Sequence, residues 1–459
     1  MERVADTRTV MWFRRDLRLG DNPALLGACE SDGVLPLFVL DPALWEPSGV
    51  PRRAYLAASL RALDESLRDL GGGLSVRRGD PVEEVVRAAR DLGASRVHVA
   101  ADYGPYGARR DAAVESALAQ HGLEMVRTGS PYAVAPGRVV NGSGTPYQVF
   151  TPFSRAWAQH GWRGPVDPPR RASWLALDDT VDIPDAQLPD GIALPEAGER
   201  AALTRWRAFV DRADGDLGDY DTGRDRPDRD NTSRMSVHLR WGEIHPRTML
   251  ADLSADRRAV VATYRKELAW REFYADVLHH RPETAREYLK PEFARMEYDD
   301  PAPVLDAWKE GRTGFPIVDA GMRQLRATGW MHNRVRMIVA SFLVKDLHVE
   351  WQHGARHFMH WLLDGDVASN QHNWQWVAGC GTDASPYFRV FNPTTQGRKF
   401  DPDGVYVKRW VPELREVDAK HVHEPEAAPD GLPEGYPAPI VDHREERAEA
   451  LARLERIKA

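Results

Sequence analysis

The first third of the chain alternates short apolar runs with amphipathic segments. The apolar runs are of strand length and lie at Thr9–Phe13, Val34–Leu40, Leu74–Arg78 and Arg96–Ala100. Segments 53–70 and 81–93 between them repeat apolar residues at helical spacing, and glycine ends each one. This alternation predicts a doubly wound parallel sheet with helices on both faces, a fold in which ligands bind beyond the carboxyl ends of the strands.

The pattern changes after residue 130. Ten prolines punctuate residues 131–200, which predicts a long and largely irregular connection over the surface. From residue 201 onward the apolar spacing is helical almost to the end. The predicted organisation is an α/β domain over residues 1–130, a linker over 131–200 and an all-α domain over 201–459.

Length and composition agree with a globular protein of two or three domains. The chain has 459 residues, and no apolar run approaches the roughly 20 residues that a membrane helix needs. Its beginning, MERVADTRTV, does not resemble a signal peptide. Cys29 and Cys380 are far apart in sequence, which fits a reducing compartment. We therefore expect a cytoplasmic protein without a membrane partner.

The net charge of −8 argues mildly against a nucleic-acid partner. Binding depends on local surfaces, however, and two stretches are basic. Residues 320–345 contain five Lys or Arg and no acid, and four more cations lie at 398, 399, 408 and 409. The sequence thus permits a basic surface on an acidic protein.

Three segments combine large aromatic rings with hydrogen-bonding groups. In KELAWREFYADVL, helical spacing places Glu267, Trp270, Arg271 and Tyr274 on one face. GWMHNRVRMIVASF gives Trp330, Asn333, Arg334 and Met337 the same spacing, and DGDVASNQHNWQW adds two acids and two indoles. One such face alone is more typical of an ordinary helix interface. Together, the three segments favour a flat ligand with polar edges.

Several other sites are excluded by their spacing. No GxGxxG follows the first strand, where RRDLRLGDN stands instead, and no GxSxG or Walker A loop occurs. A calcium loop beginning at Asp364 would need a glutamate where Gln375 stands, and the histidines lack HExxH, so no metal site is expected. RDNTSRMS fits either a helix N-cap or a phosphate held by short donors.

These segments resemble the DNA photolyase/cryptochrome family, in particular the microbial class I photolyases that repair cyclobutane pyrimidine dimers. The similarity covers essentially the whole chain and includes WFRRDLRLGDNPAL, TPFSRAW, TSRMS, ELAWREFY, FPIVDAGMRQLRATGWMHNRVRM, DGDVASNQHNWQW and FNPTTQGRKFD. It implies a Rossmann-like N-terminal domain and a helical domain that binds U-shaped FAD without a glycine fingerprint. It also implies a blue-light-driven lyase that acts on UV-damaged DNA and is expected to be a monomer.

The resemblance implies a set of FAD contacts. The ribose and pyrophosphate contacts are expected at Tyr220, Thr232, Ser233, Arg234, Met235 and Ser236. The contacts to the ring system and adenine are expected at Arg271, Asn333, Arg336, Asp364, Gly365 and Asp366, with Asp364 suited to pair with Arg336. Asn370 is expected at flavin N5, where its amide can donate or accept a hydrogen bond. A guanidinium beside the ring favours the anionic reduced flavin.

The resemblance also implies the contacts to damaged DNA. The flipped dimer is expected to meet Glu267, Trp270, Arg271, Tyr274, Asn333, Met337 and Trp376. The phosphates are expected to meet Arg224, Arg334, Gln396, Arg398 and Lys399. A dimer stacks and pairs poorly, so extruding it costs only about a few kcal/mol, which favours damaged sites.

Photoreduction in the family uses three aromatic residues in series. Trp374 and Trp351 match the proximal and middle positions, whereas the distal position holds Tyr298 in place of tryptophan. Tyrosine is harder to oxidise unless its proton leaves too, so the last step is expected to be slower or to use another residue.

The N-terminal domain of such enzymes holds an antenna chromophore. Gly107 and Ala108 stand where folate-binding relatives carry an Asn-Glu pair. Arg52 and Asp102 resemble the contacts of deazaflavin-binding relatives, and Arg240 is a weaker third candidate. We therefore expect 8-hydroxy-5-deazaflavin or an FMN-like flavin, rather than methenyltetrahydrofolate; an empty cleft is the remaining alternative.

Two other functions compete with repair of cyclobutane dimers. A cryptochrome-type photoreceptor would share the fold but lack repair, and the presence of Glu267, Trp270, Met337 and Trp376 argues against it. A dark flavin oxidoreductase would need a nicotinamide-binding motif, which the sequence does not show. Photolyases for (6-4) products carry histidines where this chain has WMHNRVRM, so that substrate is disfavoured.

Overall fold

The structure is a computed structural model that describes residues 7–210, 217–382 and 388–458. The chain forms two compact units that are interleaved along the sequence. The first unit comprises Met1–Leu188, Pro195–Gly215 and Ser233–Pro282, and the second comprises Pro189–Leu194, Asp216–Thr232 and Glu283–Ala459. The domain boundaries expected at residues 130 and 200 stay predictions.

The first unit is built on a five-stranded parallel sheet with strand order β3-β2-β1-β4-β5. The strands are β1 Arg8–Phe13, β2 Gly33–Leu40, β3 Ser75–Arg78, β4 Arg96–Val99 and β5 Glu124–Arg127. In the centre of the sheet Val10 is paired with Leu35 on one side and Val97 on the other. Because helices cover both faces, β1 and β2 are almost wholly buried, which explains their continuous apolar runs.

Helices make up about half of the remaining described chain. In the first half they are α1 Pro23–Ala28, α2 Pro42–Trp45, α3 Val50–Arg68, α4 Pro81–Leu92, α5 Pro105–Ala119, α6 Phe150–His160, α7 Glu199–Val210, α8 Tyr220–Gly223, α9 Ser236–Trp241 and α10 Pro246–Asp252. In the second half they are α11 Ala259–His280, α12 Ala302–Glu310, α13 Pro316–Thr328, α14 Asn333–Lys345, α15 Trp351–Trp361, α16 Val367–Ala378, α17 Pro393–Phe400, α18 Val405–Trp410 and α19 His443–Lys458. Short 3₁₀ turns lie at Pro282–Ala285, Pro291–Arg295, Pro412–Leu414 and Pro425–Ala427.

Local sequence accounts for many of the helix ends. Asp80 accepts from the Val82 backbone N–H at the start of α4, and Gly93, with φ of 67°, ends that helix. At the start of α16 the Asp366 carboxylate accepts from the Ser369 N–H. Each unit has its own apolar core: the sheet packs on α4 and α5, and α13 to α16 surround Trp308, Trp351 and Trp374.

The predicted fold class is confirmed, and three details of the prediction are corrected. The edge strand β5 was not predicted, because four residues with only one buried position give too short a pattern. The proline-rich connection contains α6, which buries Phe153 and Trp157. Trp330 lies outside α14, because Gly329, with φ of 64°, ends α13 and the His332 side chain caps α14 at Arg334 N. Within the described ranges, no helix is long and apolar enough to cross a bilayer.

Candidate functional site

A cavity in the second unit brings together eight of the predicted site residues. It lies between α14, the turn after α15, and α16. The eight residues are Asn333, Arg336, Met337, Asp364, Gly365, Asp366, Asn370 and Trp374. The remaining lining is Ala340, Phe358, Leu362, Ser369, Asn373 and Val377. Apolar walls with a few converging polar groups are typical of a site for a flat cofactor.

A guanidinium and a carboxylate are paired on the wall of this cavity. Arg336 Nη2 donates to Asp364 Oδ2 at 2.8 Å, and Arg336 Nε donates to Met331 O at 2.8 Å. The expected pairing of Asp364 with Arg336 is therefore confirmed. The Asp364 side chain is nearly buried, so the pair sits where charges are weakly screened.

The carboxamide of Asn370 has its donors already engaged. Nδ2 donates to Ala355 O at 3.1 Å and to Gln371 Oε1 at 2.7 Å. No residue in the described part of the chain donates to Oδ1, which is left as an acceptor on a buried side chain. Asn370 is thus arranged to accept a hydrogen bond from a ligand in the cavity.

The two predicted electron-transfer tryptophans are both buried. The ring of Trp374 lies 5.0 Å from that of Phe358 and 6.2 Å from that of Trp308. It also packs on the backbone of α15 at Gly354, where a Cβ atom would come within 2.6 Å of Trp374 Cζ3. Among the described residues neither Trp374 Nε1 nor Trp351 Nε1 has a hydrogen-bond acceptor.

The predicted distal residue Tyr298 belongs to a group that includes a second tyrosine. Tyr288 OH donates to Glu350 Oε1 at 2.6 Å, and its ring meets that of Trp351 edge to face at 6.1 Å. Burial and the neighbouring Tyr298 raise the pKa of Tyr288. Tyr288 was not predicted, because the loop between the two 3₁₀ turns has no periodic pattern that would indicate its contacts.

In the first unit, α11 carries the predicted lesion-facing residues Glu267, Trp270, Arg271 and Tyr274. Trp270 is stacked on Phe150 with 3.6 Å between ring centroids and 6° between planes, and Tyr274 lies 5.4 Å away. Phe150 therefore covers one face of the indole. Phe150 was missed, although it immediately precedes the TPFSRAW motif.

Buried polar groups hold the chain from residue 131 onward against α11. Glu272 accepts hydrogen bonds from the backbone N–H of Val134 at 3.0 Å and from Trp157 Nε1 at 2.6 Å. Arg271 donates to Pro131 O at 2.9 Å and to Leu239 O at 3.3 Å. These contacts fix α11 against α6 and so orient Trp270.

The predicted pyrophosphate segment is divided between the two units at residue 232. In the first unit, Ser233 Oγ is 2.8 Å from Tyr264 OH, and Arg234 adopts a left-handed backbone with φ of 52°. Met235 is buried and Ser236, the first residue of α9, is exposed. In the second unit, Tyr220 is buried and Thr232 is half-buried.

A further polar residue, Asn231, lies in the RDNTSRMS segment but was not among the expected FAD contacts. Asn231 is 8% exposed, and within the described part of the chain neither amide atom has a hydrogen-bond partner. Its side chain occupies the space that a Cβ at Gly223 would fill. A buried amide without partners is costly, so a ligand that binds it is expected.

The predicted phosphate contacts are four cations and one glutamine, all half-buried or exposed, in the second unit. Arg334 pairs with Asp225 at 2.8 Å, and Arg398 pairs with Glu424 at 2.6 Å. Lys399 lies 5.1 Å from the Phe400 ring centroid. Two further residues of the set are Arg224, which lies over the Tyr220 ring, and Gln396, which is on α17 with Arg398 and Lys399.

The predicted antenna residues lie in the first unit. The guanidinium groups of Arg52 and Arg240 lie over one ring, that of Trp241, at 5.6 and 5.0 Å from its centroid. Burial would raise the pKa of Asp102, but the charges of Arg15 and Arg110 hold it below its ordinary value. A Cβ at Gly107 would overlap the Asp102 carboxylate, so an asparagine at this position does not fit the observed packing.

Comparisons with known proteins agree with this geometry. The family model described as DNA photolyase matches residues 9–172, and the FAD binding domain of DNA photolyase matches residues 264–456. The deoxyribodipyrimidine photo-lyase of Streptomyces griseus is 43% identical over 98% of this chain and 98% of its own length. The chain therefore belongs to the DNA photolyase/cryptochrome family.

Two solved structures show how widely this fold is shared. A bacterial class III photolyase from Agrobacterium tumefaciens is 38% identical, with a TM-score of 0.92 over 100% of both chains. A Synechocystis cryptochrome is 26% identical, with a TM-score of 0.90 over 98% of this chain and 100% of its own. The fold alone therefore does not distinguish a repair enzyme from a cryptochrome. That distinction depends on the residues of the site.

Proposed function

We infer that this chain is a deoxyribodipyrimidine photo-lyase that splits cyclobutane pyrimidine dimers in DNA under blue light. The cavity between α14 and α16 supports this most directly, because it gathers seven residues that the family resemblance assigns to flavin or lesion, together with Trp374, which it assigns to photoreduction. FAD fits the donor set of that cavity. A paired guanidinium, an amide oxygen that accepts and an indole match the polar edge, N5 and ring of a flavin.

We propose that the FAD contacts are the residues expected from the resemblance, with Asn231 added. Arg336, fixed by Asp364, provides positive charge beside the ring. The Nδ2 group of Asn370 donates elsewhere, so Oδ1 is left to accept a hydrogen bond from flavin N5. N5 carries a proton in the reduced flavin, and this contact therefore favours the reduced form. The buried amide of Asn231 accompanies the pyrophosphate segment, where phosphate oxygens would satisfy its donors.

The lesion contacts are proposed on the same basis. Trp270 presents the indole face opposite Phe150, against which a flipped pyrimidine stacks. Glu267 accepts hydrogen bonds from the edge of the base, and Met337 and Trp376 contact the dimer. Arg224, Arg334, Gln396, Arg398 and Lys399 hold the phosphates.

FAD, bound in its reduced form, would supply a light-driven electron to the dimer and recover it once the cyclobutane ring has opened, so the reaction would consume no external reductant. The chain's own part is to orient the dimer, exclude water from the cavity and hold the reduced flavin through Arg336 and Asn370. Trp374 and Trp351 provide electrons when the flavin has to be reduced first.

We further propose a deazaflavin or FMN-like antenna chromophore bound by Arg52, Asp102 and Arg240. The two arginines over the Trp241 ring form a cationic site beside an indole, which suits a flat anionic chromophore. The enzyme is proposed to act as a monomer in the cytoplasm.

A light-and-dark comparison tests the lyase activity. The reduced, FAD-loaded protein is incubated with UV-irradiated oligothymidylate, and absorbance near the thymine band is followed under blue light and in darkness. We expect recovery only under light. Equal traces would favour the alternative, a cryptochrome-type photoreceptor with the same fold. An absorption spectrum of the freshly purified protein identifies the antenna chromophore.

A further inference from the structure

One tyrosine and one carboxylate extend the aromatic series beyond the two buried tryptophans. Glu350 is the N-cap residue of α15 and Trp351 is its first residue. The Glu350 carboxylate makes no capping hydrogen bond and instead accepts from Tyr288 OH at 2.6 Å. The Tyr288 ring meets Trp351 edge to face at 6.1 Å. Tyr288 therefore contacts an indole on one side and a proton acceptor on the other.

We propose that Tyr288, with Glu350 as its proton acceptor, is the terminal electron donor of this chain. This inference rests on the proposed function, since it concerns how electrons reach the flavin of that same enzyme. It assigns the last step to Tyr288 rather than to Tyr298, which occupies the expected distal position. Glu350 has no role in the reaction other than to take and release the proton.

The step conserves electrons and protons. Trp374 loses one electron to the photoexcited flavin and regains one from Trp351, which becomes a radical cation. Tyr288 then gives one electron to Trp351 and its hydroxyl proton to Glu350. The products are a neutral tyrosyl radical, a neutral indole and a protonated carboxyl group. An external thiol reduces the radical, and Glu350, which is half-buried, returns its proton to solvent.

Hydrogen bonding explains why the charge moves to Tyr288 and stays there. An oxidised indole becomes stable when its N–H proton leaves, but in the described structure neither Trp351 Nε1 nor Trp374 Nε1 has an acceptor. An oxidised phenol is a strong acid, and the acceptor of Tyr288 is already in place. Burial is the largest cause that raises the pKa of Tyr288, so the hydroxyl keeps its proton until the ring is oxidised.

Burial also distinguishes the two tyrosines. Tyr288 is 7% exposed and belongs to the apolar core around Trp351, whereas Tyr298 is half-buried and packs against the edge of that core. Both Tyr288 and the charge of Glu350 act on Tyr298, but the hydrogen bond to Glu350 Oε1 comes from the Tyr288 hydroxyl. In the described structure it is therefore the Tyr288 proton that has a direct path to the carboxylate.

Flash photolysis of the full, FAD-loaded chain tests the assignment. Radicals are followed by transient absorption and electron paramagnetic resonance, in H₂O and in D₂O. We expect a tyrosyl radical in the native chain and in Tyr298→Phe, but loss of that radical in Tyr288→Phe, where the tryptophan radical lives longer. Glu350→Gln keeps the tyrosine but removes its base, so radical formation slows and its solvent isotope effect changes.

The outcomes separate this inference from the proposed function. A tyrosyl radical that persists in Tyr288→Phe and disappears in Tyr298→Phe would overturn the assignment. Unchanged radical kinetics in Glu350→Gln would overturn the role of the carboxylate, and thermal melting shows whether each variant is folded. Repair by chemically reduced enzyme needs neither residue, so its absence in the native chain would count against the lyase and leave the radical measurement valid.

Discussion

At the scale of single residues, hydrogen-bond partners decide which chemistry a side chain performs. Trp374 and Tyr288 are both buried aromatic residues of the second unit. The indole N–H of Trp374 has no acceptor in the described structure, while the Tyr288 hydroxyl donates to a carboxylate. Trp374 is therefore suited to pass an electron on quickly, and Tyr288 to give up an electron together with a proton.

The role of Trp374 leads to a first prediction. Trp374→Phe keeps an aromatic ring against Gly354 and Phe358, but phenylalanine is much harder to oxidise. We expect near-complete loss of flavin photoreduction, measured as bleaching of oxidised flavin under blue light with a thiol present. Trp410→Phe, outside the series, is the matched control and should photoreduce normally. Rapid photoreduction in Trp374→Phe would remove the aromatic series from the mechanism.

A second residue-scale prediction concerns a histidine that the fold keeps neutral. His372 is fully buried, and its ring nitrogens lie 2.8 Å from Ala368 O and 3.0 Å from Thr284 Oγ1. This arrangement suits the neutral ring, with one nitrogen donating and the other accepting. Burial lowers its pKa to about 4, well below the roughly 6.5 of an exposed histidine.

As the pH falls, His372 in the unfolded chain binds a proton below about pH 6.5, whereas His372 in the folded chain binds one only near pH 4. Acid therefore favours the unfolded chain between these two values. The contribution of neutral His372 to the free energy of unfolding is therefore fully present above about pH 6.5. It falls by about 3 kcal/mol as the pH drops from about 6.5 to about 4. Urea unfolding across this pH range should show a smaller loss in His372→Gln than in the native chain. His160→Gln, an exposed position, is the control, and an identical loss in all three proteins would contradict the prediction.

At the scale of elements, one glycine permits the contact between α15 and α16. A Cβ at Gly354 would lie 2.6 Å from Trp374 Cζ3 and 2.7 Å from Leu343 Cδ2. Alanine in a helix gains about 1 kcal/mol over glycine, but overpacking a core usually costs about 1–3 kcal/mol and here displaces a whole indole. We therefore expect Gly354→Ala to lower the free energy of unfolding and to slow photoreduction.

Chemical denaturation and flavin bleaching measure both effects of Gly354→Ala. Gly142→Ala is a matched control, because a Cβ there meets no atom within 4 Å and its backbone needs no left-handed conformation. That variant should be close to the native protein in both measurements. If Gly354→Ala were equally stable, the α15–α16 contact would have to relax more easily than its packing indicates.

Helices and strands with a strong hydrophobic periodicity could be predicted from the sequence. Those with a weak or interrupted periodicity could not. The runs that became β1 and β2 and the helices α3 and α4 agree with their predicted positions within a few residues. Strand β5 was missed because four residues at an edge carry little pattern. Helix α6 was hidden among prolines, and the start of α14 depended on a histidine cap that periodicity does not reveal.

The same contrast applies to the site. The motifs that form α14, α16 and the turn before α16 place Arg336, Asp364 and Asn370 around one cavity, because the two helices pack together. Phe150 and Tyr288 were missed because each contacts a tryptophan ring, that of Trp270 or Trp351, more than 60 positions away in sequence. Contacts of that kind depend on tertiary packing, which local sequence does not encode.

At the scale of the whole molecule, the net charge conflicts with the proposed substrate only if charge is averaged over the chain. The chain carries 61 basic and 69 acidic residues and a net charge of −8, yet its proposed partner is a polyanion. In the second unit, α17 and α18 present Arg398, Lys399, Lys408 and Arg409. Local cations bind phosphates and release counterions, whatever the distant charges are.

Salt dependence distinguishes local from global charge. Lys399→Gln and Lys458→Gln change the net charge equally, but only Lys399 belongs to the proposed phosphate contacts, whereas the exposed Lys458 pairs with Glu455 at 2.8 Å. We expect the slope of log K against log salt for dimer-containing duplex to fall by about 0.9 in Lys399→Gln, one phosphate contact, and to stay unchanged in Lys458→Gln. Fluorescence anisotropy at several salt concentrations gives both slopes. Equal shifts in the two variants would mean that overall charge governs binding, because a distant lysine would then count as much as one that touches the backbone of the DNA.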